Sequence, residues 1–243
     1  MSHRITFLWT VPRSVSTSFE RMMSARKDHT VFDEPFSRSY YYGPDRRSER
    51  YDETIPESSA VEILSEIEEA ARERPVFVKD MAYQAAALMS ADLLGRFRNS
   101  FLVRDPAATL RSLARRWPDF TDEEAGWAPL DEAAGIVDSL DQPRVVLDAD
   151  LLCADPPAVV AEWCDRMDLP FVEDALTWES GMRPEWELWG DWHSSTARST
   201  GFDELKPPPP PPGPDEPRLH EAYAVARPVY EALAAEAIGA PSA

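Results

Sequence analysis

The sequence predicts an α/β fold, a three-layer sandwich around a mainly parallel central sheet. Two observations carry this. Short continuous apolar runs alternate with longer amphipathic segments, the pattern of strands buried on both faces and joined by helices. The polar residues richest in chemistry, among them Arg13, Lys79 and Arg104, sit where those runs end, and parallel sheets hold their ligands at the carboxyl ends of the strands.

Taken in order, Ile5 to Val11 reads as a buried strand and Ser16 to Arg26 as a helix. Val31-Phe32 is a short strand stopped at Asp33-Glu34-Pro35 by its proline. Phe36 to Pro56 has no clear period and reads as a loop or lid. Ser59 to Arg74 is an amphipathic helix, with Val61, Leu64 and Ile67 at helical spacing. Val76 to Val78 is a strand, Ala85 to Leu94 a helix, and Asn99 to Val103 a strand followed by a helix through Arg116. Arg144 to Leu147 is a further strand and Pro157 to Met167 a further helix. A stiff proline spacer, within 207–215, leads to a C-terminal helix over 216–238 that contains Pro228 and docks back on the domain. The whole of 1–243 is expected to form a single domain.

The net charge of -19 argues against nucleic acid and acidic membranes as partners. An anionic substrate would need the few cations gathered around it. Cys153 and Cys164 carry no paired-ligand spacing, and the four histidines are scattered, so no metal is expected. With no signal peptide or membrane-length apolar run, a cytoplasmic protein is expected. Nothing specifies an oligomeric state.

Two segments carry the chemistry. Pro12-Arg13-Ser14-Val15-Ser16-Thr17-Ser18 joins the first strand to its helix. Successive N–H groups at a helix start form a nest for anions, three hydroxyls add donors, and Arg13 adds a fixed charge. The bland alternative is a serine cap, which needs only one such residue. This turn lacks the glycines and lysine of a nucleoside-triphosphate loop, which argues against magnesium-ATP chemistry. In the second segment Arg104-Asp105-Pro106 ends a strand, and Ser112 follows Arg104 by eight residues, two turns along the next helix. These two could hold a second phosphate, or the segment could be an ordinary helix start.

The chain here resembles the sulfotransferase family, enzymes that use 3′-phosphoadenylyl sulfate (PAPS). Their first loop, Pro-Arg/Lys-Ser-Gly-Ser/Thr-Thr, is similar to Pro12 to Thr17, and their Arg-Asp-Pro with its later Ser is similar to Arg104 to Pro106 and Ser112. A third echo runs from Val146 to Leu151 and on through Asp155-Pro156 to Asp168-Leu169-Pro170-Phe171. The resemblance covers about residues 5 to 175 in order. It departs at Asp148, at Met167-Asp168, and at Val15, which replaces the usual glycine, so the loop is not expected to rely on glycine's positive φ there.

The resemblance implies a P-loop NTPase-like sulfotransferase fold. It implies that Arg13 and the backbone of Ser14, Val15, Ser16, Thr17 and Ser18 hold the 5′-phosphosulfate of PAPS, and that Arg104 and Ser112 hold the 3′-phosphate. Ser195 to Gly201 would supply the C-terminal loop, with Arg198 as its contact. The product nucleotide would be 3′-phosphoadenosine 5′-phosphate (PAP). Arg13 would stabilise charge on the leaving oxygen, and Lys79 would join it unless it is a surface residue paired with Asp80. Glu34 is the candidate base for a hydroxyl, or an amine, of a small-molecule acceptor, with Asp33 and the remote His193 as competitors. Tyr40, Tyr41 and Tyr42 and the Trp-rich stretch 178–192 are either pocket or core. Arg46, Arg47 and Arg50 either steer an anionic acceptor or offset nearby acids. The rival readings are a phosphotransferase on the same kind of fold and a nucleotide-binding protein without catalysis.

Overall fold

The computed structural model describes residues 4–183, 186 and 196–241. Five strands form one all-parallel sheet: β1 (Ile5–Thr10), β2 (Thr30–Asp33), β3 (Val76–Met81), β4 (Arg98–Val103) and β5 (Val145–Asp148), in the order β2-β3-β1-β4-β5. The helices are α1 (Ser16–Ala25), α2 (Ser37–Tyr42), α3 (Ala60–Glu73), α4 (Ala91–Leu94), α5 (Pro106–Arg116), α6 (Asp122–Ala125), α7 (Trp127–Ser139), α8 (Ala149–Ala154), α9 (Pro156–Arg166) and α10 (Pro217–Ala234).

Alternation along the strands sorts the side chains onto two faces. Phe7, Trp9, Val78, Phe101 and Val146 pack with α3, α5, α7 and α10. Leu8, Phe77, Leu102 and Leu147 pack with α1 and α9 through Phe19, Met22, Val160 and Trp163. This is the three-layer arrangement the sequence predicts. Among the described residues, no helix is long and apolar enough to cross a membrane. Both cysteines are buried free thiols.

Several segments depart from the sequence reading. The stretch after Glu34 is not wholly loop: Ser37–Tyr42 is helical, and all three tyrosines are buried against Met81 and Tyr83. The helix expected over Ala85 to Leu94 breaks into a single 3-10 turn, Ala86–Leu88, and the short α4. Met89 is extended and the Ser90 side chain caps α4, so a local hydrogen bond restarts the helix. The chain between α5 and β5, left unassigned, supplies α6 and α7. The C-terminal helix stays continuous through Pro228 and docks on α5 and α7, burying Ala222, Ala226 and Leu233. Beyond it, Ile238 donates its N–H to the carbonyl of Val146 at 2.9 Å.

Candidate active site

The path of the chain makes the crevice. After β1 it turns into α1 on one face of the sheet; after the adjacent β4 it turns into α5 on the other. A parallel sheet opens at such a switch point. The cavity there is lined by residues 12–18, Glu34, Arg104 and Ser112, so it brings together the separate candidates of the sequence. Tyr41, Met81, Tyr83, Gln84, Leu113 and Trp117 complete one wall, and Thr196, Ser199, Asp203 and Leu205 another.

The turn after β1 corrects one expectation. Val15 does take a positive φ, 74°, and Arg13 takes 68°. Alternating left-handed residues turn successive N–H groups inward, the geometry of an anion nest. A β-branched residue held there is strained. Val15 is also the N-cap of α1, without a side-chain cap bond, so the serine-cap alternative fails. Ser14 offers only its backbone: its hydroxyl, fully buried, donates to the carbonyl of Val11 at 2.8 Å and meets the hydroxyl of Thr10. Thr10 in turn donates to the carbonyl of Leu102 at 3.1 Å, tying the turn to β4. Val15→Gly is expected to raise the unfolding free energy by about 0.5–1 kcal/mol. Relief of the left-handed strain, about 1–2 kcal/mol, is partly offset by chain entropy and lost packing. Denaturant titration checks this; a loss of stability would show that Val15 is relaxed in its turn.

The turn after β1 and the segment after β4 meet directly. Arg13 Nε donates to Ser112 Oγ at 3.0 Å, and Arg104 donates to the carbonyl of Arg13 at 3.2 Å. Burial pushes the Arg13 pKa down, and the charges of Arg116, Arg104 and Arg115 push it further, with Glu34 opposing. Two arginines, Arg13 and Arg104, thus line the cavity of a chain of net charge -19. A polyanion seated among them removes this mutual repulsion.

On the other side of the cavity Glu34 sits at φ 47°, its N–H donating to the carbonyl of Lys79 at 2.8 Å. Lys79, opposite Asp33 in the register, is fully buried and is not a surface residue paired with Asp80. Its Nζ donates to Asp33 Oδ1 at 2.7 Å and to Glu34 Oε1 at 2.5 Å. Asp80 instead accepts the N–H groups of Phe36 at 2.9 Å and Met81 at 2.8 Å, which fixes the turn carrying Glu34. Burial pushes the Asp33 carboxyl up to about 7 against the pull of Lys79. The Asp33 side chain is 1% exposed and that of Glu34 is 13%, and of the two only Glu34 lines the cavity.

Other candidates land elsewhere. Lys79 and Arg198 are not in the cavity lining; Arg198 is exposed, and its neighbours Thr196 and Ser199 face the cavity instead. Ser195, Trp189, Trp192 and His193 lie outside the described residues. Trp178 donates to Ser199 Oγ at 3.3 Å, and Trp186, fully buried, donates to Glu20 at 3.3 Å, so both pack. Arg47 pairs with Glu123 at 2.7 Å and Arg50 with Glu124 at 2.7 Å, while Arg46 donates to Thr54 Oγ1 at 2.7 Å. Tyr83 and Gln84 join the cavity lining without having been sequence candidates; they follow the end of β3, where residues of a parallel sheet face ligand.

A family model described as a sulfotransferase domain matches residues 4–237. The chain is 28% identical over 198 residues to branched-chain-amino-acid aminotransferase-like protein 2 of Arabidopsis thaliana, covering 80% of this chain but 35% of the relative. It therefore spans about a third of the curated relatives it matches. Its fold is similar to the sulfotransferase domain of the Synechococcus PCC 7002 olefin synthase, with TM-score 0.52 at 16% identity, covering 90% of this chain and 94% of that one. It is also similar to the sulfotransferase domain from the curacin biosynthetic pathway, with TM-score 0.51 at 13% identity, covering 90% and 96%.

Proposed function

The chain belongs to the sulfotransferase domain family, and from that premise we propose that it moves a sulfuryl group from PAPS to a hydroxyl of a small-molecule acceptor, with Glu34 as base. The contact of Arg13 with both Ser112 and Arg104 carries the reading of the donor. A mononucleotide needs one phosphate site; two cationic segments joined at one cavity suit a nucleotide with phosphate groups at two positions. PAPS fits this donor set: residues 13–18 for the 5′-phosphosulfate, Arg104 and Ser112 for the 3′-phosphate.

The reaction is an in-line displacement. The acceptor oxygen forms a bond to sulfur as the bond from sulfur to the bridging phosphate oxygen breaks. The hydroxyl proton passes to Glu34, and the negative charge passes to the 5′-phosphate of PAP. Arg13 and the nest stabilise that charge as it develops. Glu34 is preferred to Asp33 as base because it reaches the cavity, while Asp33 is enclosed behind it. Lys79, bonded to Glu34 at 2.5 Å, orients its carboxylate.

Calorimetry with PAP and with ADP, each with and without magnesium, tests the donor. PAP is expected to bind tightly and without metal. Preference for ADP, or a magnesium requirement, would sink the reading. Arg104→Ala is expected to weaken PAP binding by about 1.5–3 kcal/mol, the value of a charge-assisted contact, and AMP binding far less. Equal losses for both nucleotides would remove Arg104 from the 3′-phosphate.

A further inference from the structure

The proline run has a surface that the active site does not use. Six consecutive prolines, Pro207 to Pro212, lie between Leu205, which lines the cavity, and α10. Each ring fixes its own φ at about −65°, and each following proline bars its neighbour from helix. Lacking N–H groups, the run cannot join a sheet. It is held as a polyproline II helix, with about three residues per turn. Burial repeats with that period: Pro212 is buried and Pro209 half-buried, while Pro207, Pro208, Pro210 and Pro211 are exposed. One ridge rests on the domain and the other two face solvent. From this we propose that Pro207-Pro208 and Pro210-Pro211 form a docking ligand for a partner protein that carries an aromatic-lined, proline-recognising groove.

Grooves of this kind take prolines from two adjacent ridges of the helix, a turn apart. The exposed pairs have that spacing, with the inward Pro209 between them. The domain holds the run from behind. Arg111 donates to the carbonyl of Pro210 at 3.4 Å and to Glu216 at 2.7 Å, and His220 Nδ1 donates to the carbonyl of Pro212 at 3.0 Å. Among the described residues, the carbonyls of Pro207, Pro208 and Pro211 accept no bond, so a partner's donors can reach them. The ligand is already extended and tied down, and docking orders little further chain.

Charge at the ends narrows the partner further. Lys206, exposed and without an ion pair among the described residues, stands at the start of the run. A polyproline helix offers similar ridges in both directions, so a single terminal cation fixes its polarity. The exposed Glu204 and Asp215 flank the run on either side, and a groove acidic along its whole length would be repelled. One carboxylate at the Lys206 end of an otherwise uncharged groove is what these charges suit. A stiff spacer would make the six prolines equivalent. A docking ligand makes the outward pairs matter and Pro209 not.

The test titrates the whole chain by calorimetry with two purified probes, an SH3 domain and a WW domain. At least one is expected to bind with a Kd below about 0.2 mM. The double substitution Pro208→Ala, Pro211→Ala is expected to weaken that binding about tenfold or more, and Pro209→Ala by less than about twofold. Lys206→Glu is expected to weaken it by about threefold. All three variants change exposed or half-buried positions, so each should melt within about 2 °C of the parent. Binding of neither probe would overturn the proposal. So would equal losses from the outward and inward substitutions, which would leave the run a spacer. An affinity unmoved by Lys206→Glu would overturn the carboxylate assigned to the groove. The outcome is independent of the donor and acceptor of the active site.

Discussion

Glu34→Gln is expected to lower kcat by about 10²–10⁴-fold, the usual contribution of a positioned general base, with little change in the affinity for PAP. The substitution keeps shape and the bond from Lys79: the amide oxygen accepts from Lys79, while the amide nitrogen meets Gln84, whose own amide must turn its oxygen to accept. What is lost is the capacity to take the acceptor's proton. Turnover within about threefold of the parent would remove Glu34 from the base role. The neighbouring Lys79→Met separates support from direct contact. Without its ammonium, Asp33 and Glu34 become adjacent acids that have lost the cation between them. Protonation of Glu34 becomes easier, so the acid limb of the kcat profile is expected to move to higher pH and activity to recover as pH rises. Stability is expected to fall by about 3–5 kcal/mol, the cost of breaking a buried ion pair from one side. A pH-independent loss with weaker PAP binding would instead put Lys79 on the donor.

Arg13→Ala is expected to lower kcat by about 10²–10³-fold, the typical loss when one preorganised donor to a developing oxyanion is removed. PAP binding should weaken too, because the phosphate-bearing product meets the same guanidinium. Single-turnover rates with saturating PAPS isolate the chemical step from binding. Arg13→Lys should recover only part of the rate: a lysine supplies the charge but not the planar fork that donates to Ser112. Folding should not suffer, since the substitution removes a cation that burial and three other arginines disfavour. A rate within about tenfold of the parent would show that the nest alone carries the transition-state charge.

Much of this site was legible in the chain. The apolar runs ending at Arg13, Lys79 and Arg104 placed the strands, because burial on both faces leaves a continuous hydrophobic signature. Arg104 at the end of β4 and Ser112 on the helix that follows were both legible, because a strand end and the start of the next helix are set by local residue chemistry. Where local and tertiary forces competed, the fold departs from the local pattern. Met89 and Ser90 broke an expected helix through a side-chain cap, and Ser37–Tyr42 became helical to bury aromatics that show no period. The conformation of Val15 ran against its own propensity, because Ser14 and Thr10 clamp the turn from both sides.

By itself the sequence determined the parallel α/β architecture and the polar turns that end its first and fourth strands. These depend on local alternation, on residue chemistry and on short spacings. Only the tertiary structure decided what meets what. It drew Arg13 onto Ser112, enclosed Lys79 between Asp33 and Glu34, and set Tyr41, Tyr83 and Trp117 as one wall. Those contacts join residues 42 to 99 positions apart, and their partners are chosen by strand order and helix docking, which no local pattern records.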